Sequence, residues 1–394
     1  MSPVLPPEAR LVAMVTRSRT APHERELLAT LREPLDWRLV GEMAEREKLL
    51  PVLWGRLGSH TGEIPPAIAD RIHAQAAVTE FRLAMTEVTL ARVADLLAAE
   101  GIEILLLKGA ALATTVYPSF AARPMGDLDI LVPPGQADRA WHLLVARGWR
   151  EEFAGGDRFY EGHHHLKALL DPGGLHLVLE VHRTALPAAG PFRFDEAALW
   201  RDSSRVPLGN GEAAVPSSQH QLLHLCVHFA WSNMLFSGLG RTARDIATLL
   251  EDGGFDWDGF VVLARQSRAT SSAYWALRLA RTLARAPVPD ETLRRLRPPG
   301  MPFPPAALER ALIASALTRA CPSVQVMRWL WCLAIRPGAS GHVESRPWQV
   351  GEAYAEAFQV GPGMGRSARL RSHLRGWGAW ARFLGILGLP RPVT

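Results

Sequence analysis

Two stretches decide the fold: Ile102-Glu103-Ile104-Leu105-Leu106-Leu107-Lys108-Gly109-Ala110, and Arg123-Pro124-Met125-Gly126-Asp127-Leu128-Asp129-Ile130-Leu131-Val132. The compact apolar run Ile102 to Leu107 predicts a buried strand. Lys108-Gly109 then opens a short helix through Ala110 to Val116. Arg123 to Gly126 reads as a turn. Asp127 to Val132 alternates as a second strand, which sets Asp127 and Asp129 side by side on one face.

Working outward, residues 1–100 read as helices. Asp36 is placed to cap a segment through Val40, Met43, Ala44 and Leu50. From Ile68 to Glu100, Leu83, Leu90 and Leu97 recur at sevens, and Phe81 and Val88 are expected on the same stripe. Gly101 ends that helix. Downstream, Pro133-Pro134 breaks the second strand, and Gln136 to Arg147 reads as a helix ending at Gly148. His165 to Leu170 and Leu175 to His182 predict two strands joined by Pro172-Gly173-Gly174. Helical spacing returns near Ser217, over Gln219 to Phe229, Arg241 to Leu250 and Ser271 to Leu283. The proline-rich span Ala286 to Pro305 reads as a linker or crossing loop. The expected class is α+β. An N-terminal helical segment (1–100) precedes a small mixed-sheet core (101–205). A helical domain closing the cleft (206–290) follows, then a linker and C-terminal helical region (291–394).

At 394 residues the chain exceeds one ordinary domain. With 48% hydrophobic and 21% charged residues it is folded rather than disordered. Cys226, Cys321 and Cys332 support no disulfide framework and match no zinc spacing, so a cytoplasmic setting is expected. The start lacks the plan of a signal peptide, and no apolar run of about 18 residues predicts a membrane span. The net charge of +5 permits an anionic partner. No acidic residue follows Glu356, while Arg366, Arg369, Arg371, Arg375, Arg382 and Arg391 accumulate around Trp377, Trp380 and Phe383. Plain packing is the first reading of that tail; an anionic membrane surface or nucleic acid stands behind it.

Two carboxylates held as close as Asp127 and Asp129 repel each other, and a divalent cation relieves the repulsion. Such a pair can carry Mg²⁺ on substrate phosphates; surface aspartates at this spacing also occur with no metal. Lys108-Gly109 offers an anion seat, through the lysine charge, the helix N-terminus and the small glycine. Arg123 is either a phosphate partner or a solvated loop cation. Glu180 lies mid-strand among Leu177, Val178, Leu179 and Val181, where a charge is costly unless a metal or cation meets it. It is the candidate third carboxylate, with His176 and His182 on its face; the alternative is an outer strand with Glu180 in water. His163-His164-His165 look like a metal tract, but no cysteine or carboxylate sits at zinc spacing, so contact with an acceptor or phosphate is expected instead. His220, His224 and His228 recur every fourth residue and read as a helix face packed beside the cleft. Arg244 and Asp245 are expected to pair.

Together, Lys108-Gly109, Tyr117, Arg123, Asp127, Asp129, Gly148-Trp149, the histidine tract, Glu180-Val181-His182, and the later His224, His228, Arg241, Arg244, Asp245 and Ile246 resemble a known family. These features are similar to the uncharacterised bacterial nucleotidyltransferase-like proteins of the polymerase-beta nucleotidyltransferase superfamily, over residues 25 to 285. The superfamily's usual Gly-Gly or Gly-Ser helix start is replaced here by Lys108-Gly109-Ala110, without a hydroxyl. The resemblance implies attack on the α-phosphate of a nucleoside triphosphate, ATP being the first candidate, with pyrophosphate leaving. It implies Mg²⁺ or Mn²⁺ on Asp127, Asp129 and Glu180. Lys108 and Gly109 would hold the β- and γ-phosphates, and Arg123 would offset developing charge. His163, His165, His182 and His228 are the further candidates for acceptor or phosphate contact. The acceptor would be a small molecule, peptide or protein, with nucleic acid less favoured. Two rivals are a D-x-D glycosyltransferase and a non-catalytic nucleotide-binding or scaffold protein that kept the fold.

Overall fold

A computed structural model describes residues 5–17, 24–152, 160, 163–187, 191–299 and 304–317, with Met327, Leu330, Trp331, Ala334 and Ile335 beyond them. The basic, tryptophan-bearing tail and residues Cys321 and Cys332 lie outside the described residues. Five helices come first: α1 (Pro7–Val15), α2 (Glu24–Leu31), α3 (Trp37–Arg46), α4 (Leu50–Leu57) and α5 (Pro66–Ala99). The middle of the chain alternates strand and helix: β1 (Leu105–Leu106), α6 (Lys108–Thr115), β2 (Asp127–Leu131), α7 (Ala137–Ala146), β3 (Arg150–Glu151), β4 (Leu169–Leu170), β5 (Val178–His182), α8 (Glu196–Arg201), β6 (Ser204–Leu208) and β7 (Gly211–Val215). Helices then return as α9 (Ser218–Trp231), α10 (Leu239–Leu249), α11 (Trp257–Gln266), α12 (Thr270–Ala284), α13 (Asp290–Leu296) and α14 (Pro305–Leu317). The fold is α+β with flanking helices, as the sequence predicts.

Local chemistry sets the helix starts. Asp36 caps α3 by accepting from the Leu39 N–H at 3.1 Å, and Asp195 and Asp256 cap α8 and α11 in the same way. The long helix α5 is followed by its C-cap Glu100 and then by Gly101, with φ of 69°. Its buried stripe is Leu83, Leu90 and Leu97, each contributing roughly 1.5–3 kcal/mol by leaving water. Phe81 and Val88 depart from expectation: they are 61% and 42% exposed. Two residues turn a helix by about 200°, so an offset of two carries a side chain to the opposite face.

The strands form one seven-stranded sheet, in the order β3-β4-β5-β2-β1-β7-β6. β2 runs parallel to β5 and antiparallel to β1, and β1 runs parallel to β7. β4 and β5 form the antiparallel pair predicted around Pro172-Gly173-Gly174. Asp171 secures that turn by accepting from the N–H groups of Leu177 (2.7 Å) and Leu175 (3.2 Å). The β6–β7 hairpin is absent from the sequence reading, although Gly209-Asn210 supplies a two-residue turn signal there. The proline-rich span read as a linker holds α13. One sheet face, bearing Leu106, Leu128, Ile130, Leu179 and Val181, packs with residues of α5 and α7 into an apolar core. The opposite face carries the charged residues.

Candidate active site

The parallel register of β2 and β5 sets Asp127 opposite Val178, Asp129 opposite Glu180 and Leu131 opposite His182. Paired residues of neighbouring strands share a face, so Asp127, Asp129, Glu180 and His182 come to one side of the sheet. Asp129 is buried, Glu180 is half-buried, and Asp127 is exposed at the start of β2. The expected convergence of Asp129 and Glu180 is therefore present, with Asp127 standing outside them.

A cation already lies between the two inner carboxylates. The Lys108 ammonium is 2.6 Å from Asp129 Oδ1 and 3.8 Å from Glu180 Oε2. Lys108 begins α6 with φ of 44°, a left-handed conformation that costs a non-glycine residue about 1–2 kcal/mol. Such strain persists only where its surroundings over-determine it. Here the ion pair supplies the hold. Burial opposes the charge on Lys108, but Asp129, Glu180 and Asp127 outweigh it and raise its pKa. Burial likewise opposes the Asp129 charge. Lys108 and the His182 hydrogen bond prevail, holding its carboxyl well below the usual range.

His182 is the second support of Asp129. Its Nε2 lies 2.9 Å from Asp129 Oδ1 and its Nδ1 3.3 Å from the Thr184 carbonyl oxygen. Both partners are acceptors, so only the imidazolium donates to both. Burial works against that charge, but hydrogen bonds to Asp129 and Glu180 raise the His182 pKa. His165 differs: its Nδ1–H donates to the Leu166 carbonyl at 2.7 Å, and its Nε2 faces Glu180 Oε2 at 3.7 Å. Burial lowers the pKa of His163 to about 4 and lowers those of His164 and His165. Burial first, and then the Lys108 charge, lower the pKa values of His224 and His228 on α9; His224 falls to about 3.

Arg123, in the turn before β2, is not a solvated loop cation. It is buried and holds Asp245 of α10 through Nε–Oδ1 at 3.3 Å and Nη2–Oδ2 at 2.7 Å. The Tyr117 hydroxyl donates to the same Oδ1 at 2.8 Å. This corrects the expected Arg244–Asp245 pair: Arg244 instead stands 5.7 Å over the Tyr117 ring and donates to the Val15 carbonyl. Neighbours on a helix diverge by about 100°, so Arg244 and Asp245 face different sides. Gly109 makes room for Arg123, since a Cβ there would lie 2.0 Å from its Nη1.

Sequence reasoning gave no role to Lys48. Its ammonium lies against Gly126, where a Cβ would come within 2.1 Å of Nζ, and so adds a positive charge at the outer end of β2. A cavity of about 230 Å³ opens there beside Asp127, lined by Lys48, Thr79, Arg82, Thr86, Gly126 and Val178 among others. No periodicity marks Lys48; it arrives through the break between α3 and α4, where its own φ is 55°.

A mixed sheet carrying paired acidic residues on one face, with a lysine-bearing helix start next to them, is an arrangement suited to phosphate chemistry with a divalent cation. Over residues 33–285 the chain matches a family described as an uncharacterised nucleotidyltransferase, and it belongs to that family. The matched span ends after α12 and leaves α13 and α14 beyond it. Comparison with curated proteins gives no match. Among the described residues, no helix is long and apolar enough to cross a membrane.

Proposed function

We propose that the chain moves a nucleoside monophosphate from a nucleoside triphosphate, ATP first among the candidates, to a hydroxyl of a small molecule, peptide or protein, with release of pyrophosphate. The observation that carries this reading is the Asp129–Glu180 register pair, with Asp127 at the open end of the same face. The donors suit a hard divalent ion: the carboxylates supply oxygen ligands, as Mg²⁺ or Mn²⁺ requires. Such an ion, when bound, supplies Lewis-acid polarisation of the phosphate and neutralises its charge. Asp127, Asp129 and Glu180 are its proposed ligands.

The other side chains position these. His182 orients Asp129 from behind, and Arg123 with Asp245 fixes the turn that delivers β2. Lys108, once freed from Asp129, turns to the phosphates, where the α6 N-terminus adds its own positive end. Gly109 keeps that helix start close to the turn. His163, His165 and His228 remain candidates for the acceptor side. The cavity beside Asp127, with Lys48 and Arg82 in its wall, is the proposed seat for part of the nucleotide or acceptor. Rate enhancement would come from positioning and electrostatics.

Incubation with labelled triphosphates, Mg²⁺ and host lysate tests the reading. Label is expected on an acceptor with wild type and lost with Asp129→Ala; transfer that survives the substitution contradicts the metal role. Release of nucleoside diphosphate instead of pyrophosphate would indicate a glycosyltransferase. The Lys108–Asp129 contact also favours a second reading, a nucleotide-binding scaffold whose acidic pair is neutralised internally. Calorimetry with ATP, GTP, CTP and UTP separates the two: binding of equal strength with and without Mg²⁺ supports the scaffold.

A further inference from the structure

His163, His164 and His165 are consecutive, yet their rings meet. Centroid separations are 4.3 Å for His163–His164, 4.3 Å for His163–His165 and 4.7 Å for His164–His165. A regular strand would send the middle ring to the opposite side of the sheet. Only His165 joins the sheet, through a single bridge to His182, and the irregular backbone before it lets all three rings turn to one side. One ring nitrogen from each lies within 4.8 Å of the other two.

Two details point to a ligand. The His165 Nδ1–H is committed to the Leu166 carbonyl, which fixes the tautomer and leaves Nε2 as the nitrogen with a free lone pair. A backbone acceptor on the far nitrogen is how proteins orient a metal-binding imidazole. His164 Nδ1 is buried with no hydrogen-bond partner among the described residues, a costly state for a polar atom unless something binds it.

We propose that His163, His164 and His165 bind one divalent transition-metal ion of the zinc class, at a site separate from the carboxylate pair. The donor type sets the class: three imidazole nitrogens suit Zn²⁺ or Co²⁺, whereas Mg²⁺ takes oxygen ligands. A tetrahedral ion at about 2.0–2.1 Å from each nitrogen holds the nitrogens roughly 3.4 Å apart. Side-chain rotation of little more than about an ångström closes the present set. Three protein ligands leave a fourth position open to water or a substrate group. Three imidazoles suffice for such an ion, so no cysteine or carboxylate at zinc spacing is needed. The inference stands whether or not the chain transfers nucleotides.

The test is cobalt spectroscopy on the full chain after chelator treatment. One equivalent of Co²⁺ is expected to give a tetrahedral visible absorption band that Zn²⁺ abolishes and excess Mg²⁺ does not. His164→Ala and His163→Gln are each expected to weaken Co²⁺ binding by roughly 100-fold or more, with circular dichroism confirming that each variant is folded. Asp129→Asn is expected to keep the band. No band with folded wild type, a band unchanged in both histidine variants, loss of the band in Asp129→Asn, or displacement by Mg²⁺ would each overturn the proposal.

Discussion

Arg123 and Asp245 are joined by a two-point ion pair buried between the turn before β2 and helix α10. The helical region thereby grips the residue that leads into the acidic strand. Removing one member strands the other charge in a dry place, at a cost of about 3–5 kcal/mol. Asp245→Asn is expected to lose that much in urea unfolding. A cycle with Arg123→Met and Asp245→Leu should show strong coupling, with the double variant losing much less than the two single losses added together. Additive losses would contradict the pairing.

Gly109 and Gly126 separate two kinds of tight contact. An alanine Cβ at position 109 meets a guanidinium locked by Asp245, whereas at 126 it meets the free end of the Lys48 side chain. Gly109→Ala is expected to destabilise by about 2 kcal/mol or more, within the upper range of overpacking. Gly126→Ala should cost less than about 1 kcal/mol, because Lys48 can swing away. Thermal melting of the two variants side by side checks the order.

Lys108 combines a left-handed backbone with a buried ion pair. Lys108→Ala loses the pair and keeps the strain; Lys108→Gly loses the pair and relieves it. The glycine variant should therefore be the more stable of the two by about 1 kcal/mol. Equal stabilities would mean that the backbone strain has been relaxed elsewhere.

Glu196 gives a pH signature. Its Oε1 accepts from the Ala185 N–H at 2.7 Å, and burial pushes its pKa up to about 7 from the ordinary 4.5. Between those values the folded chain binds more protons than the unfolded one. The stability this group contributes is complete below about pH 4.5 and is lost as pH rises through about 7. Glu196→Gln keeps the acceptor for Ala185 and cannot ionise. Its melting temperature should rise relative to wild type as pH goes from 5 to 8; a constant difference would rule out ionisation of Glu196 as the source.

The parts of this fold that were legible are those governed by local periodicity. Asp36, Gly101, the Leu83–Leu90–Leu97 stripe and the D-x-D strand all appear in the structure where the sequence places them. The Asp129–Glu180 approach was also legible, because a lone charge in an apolar strand demands a partner. What escaped was tertiary. Nothing in Arg244-Asp245 tells that the aspartate turns to Arg123, or in Lys48 that it reaches Gly126. The β6–β7 hairpin was hidden by Pro207, which argues against a central strand but fits the outermost position that β6 holds.

β1 has one more property. Its Leu105 pairs with Leu131 on one side and with Ala214 on the other, so the sheet is continuous only once β7 has been made. A shortened protein ending before Gly211 would leave Leu105–Leu106 as a raw seam, open to strands from other molecules. Every residue of the carboxylate and histidine clusters lies upstream of that point, yet the smallest version able to stay monodisperse must extend at least through Val215.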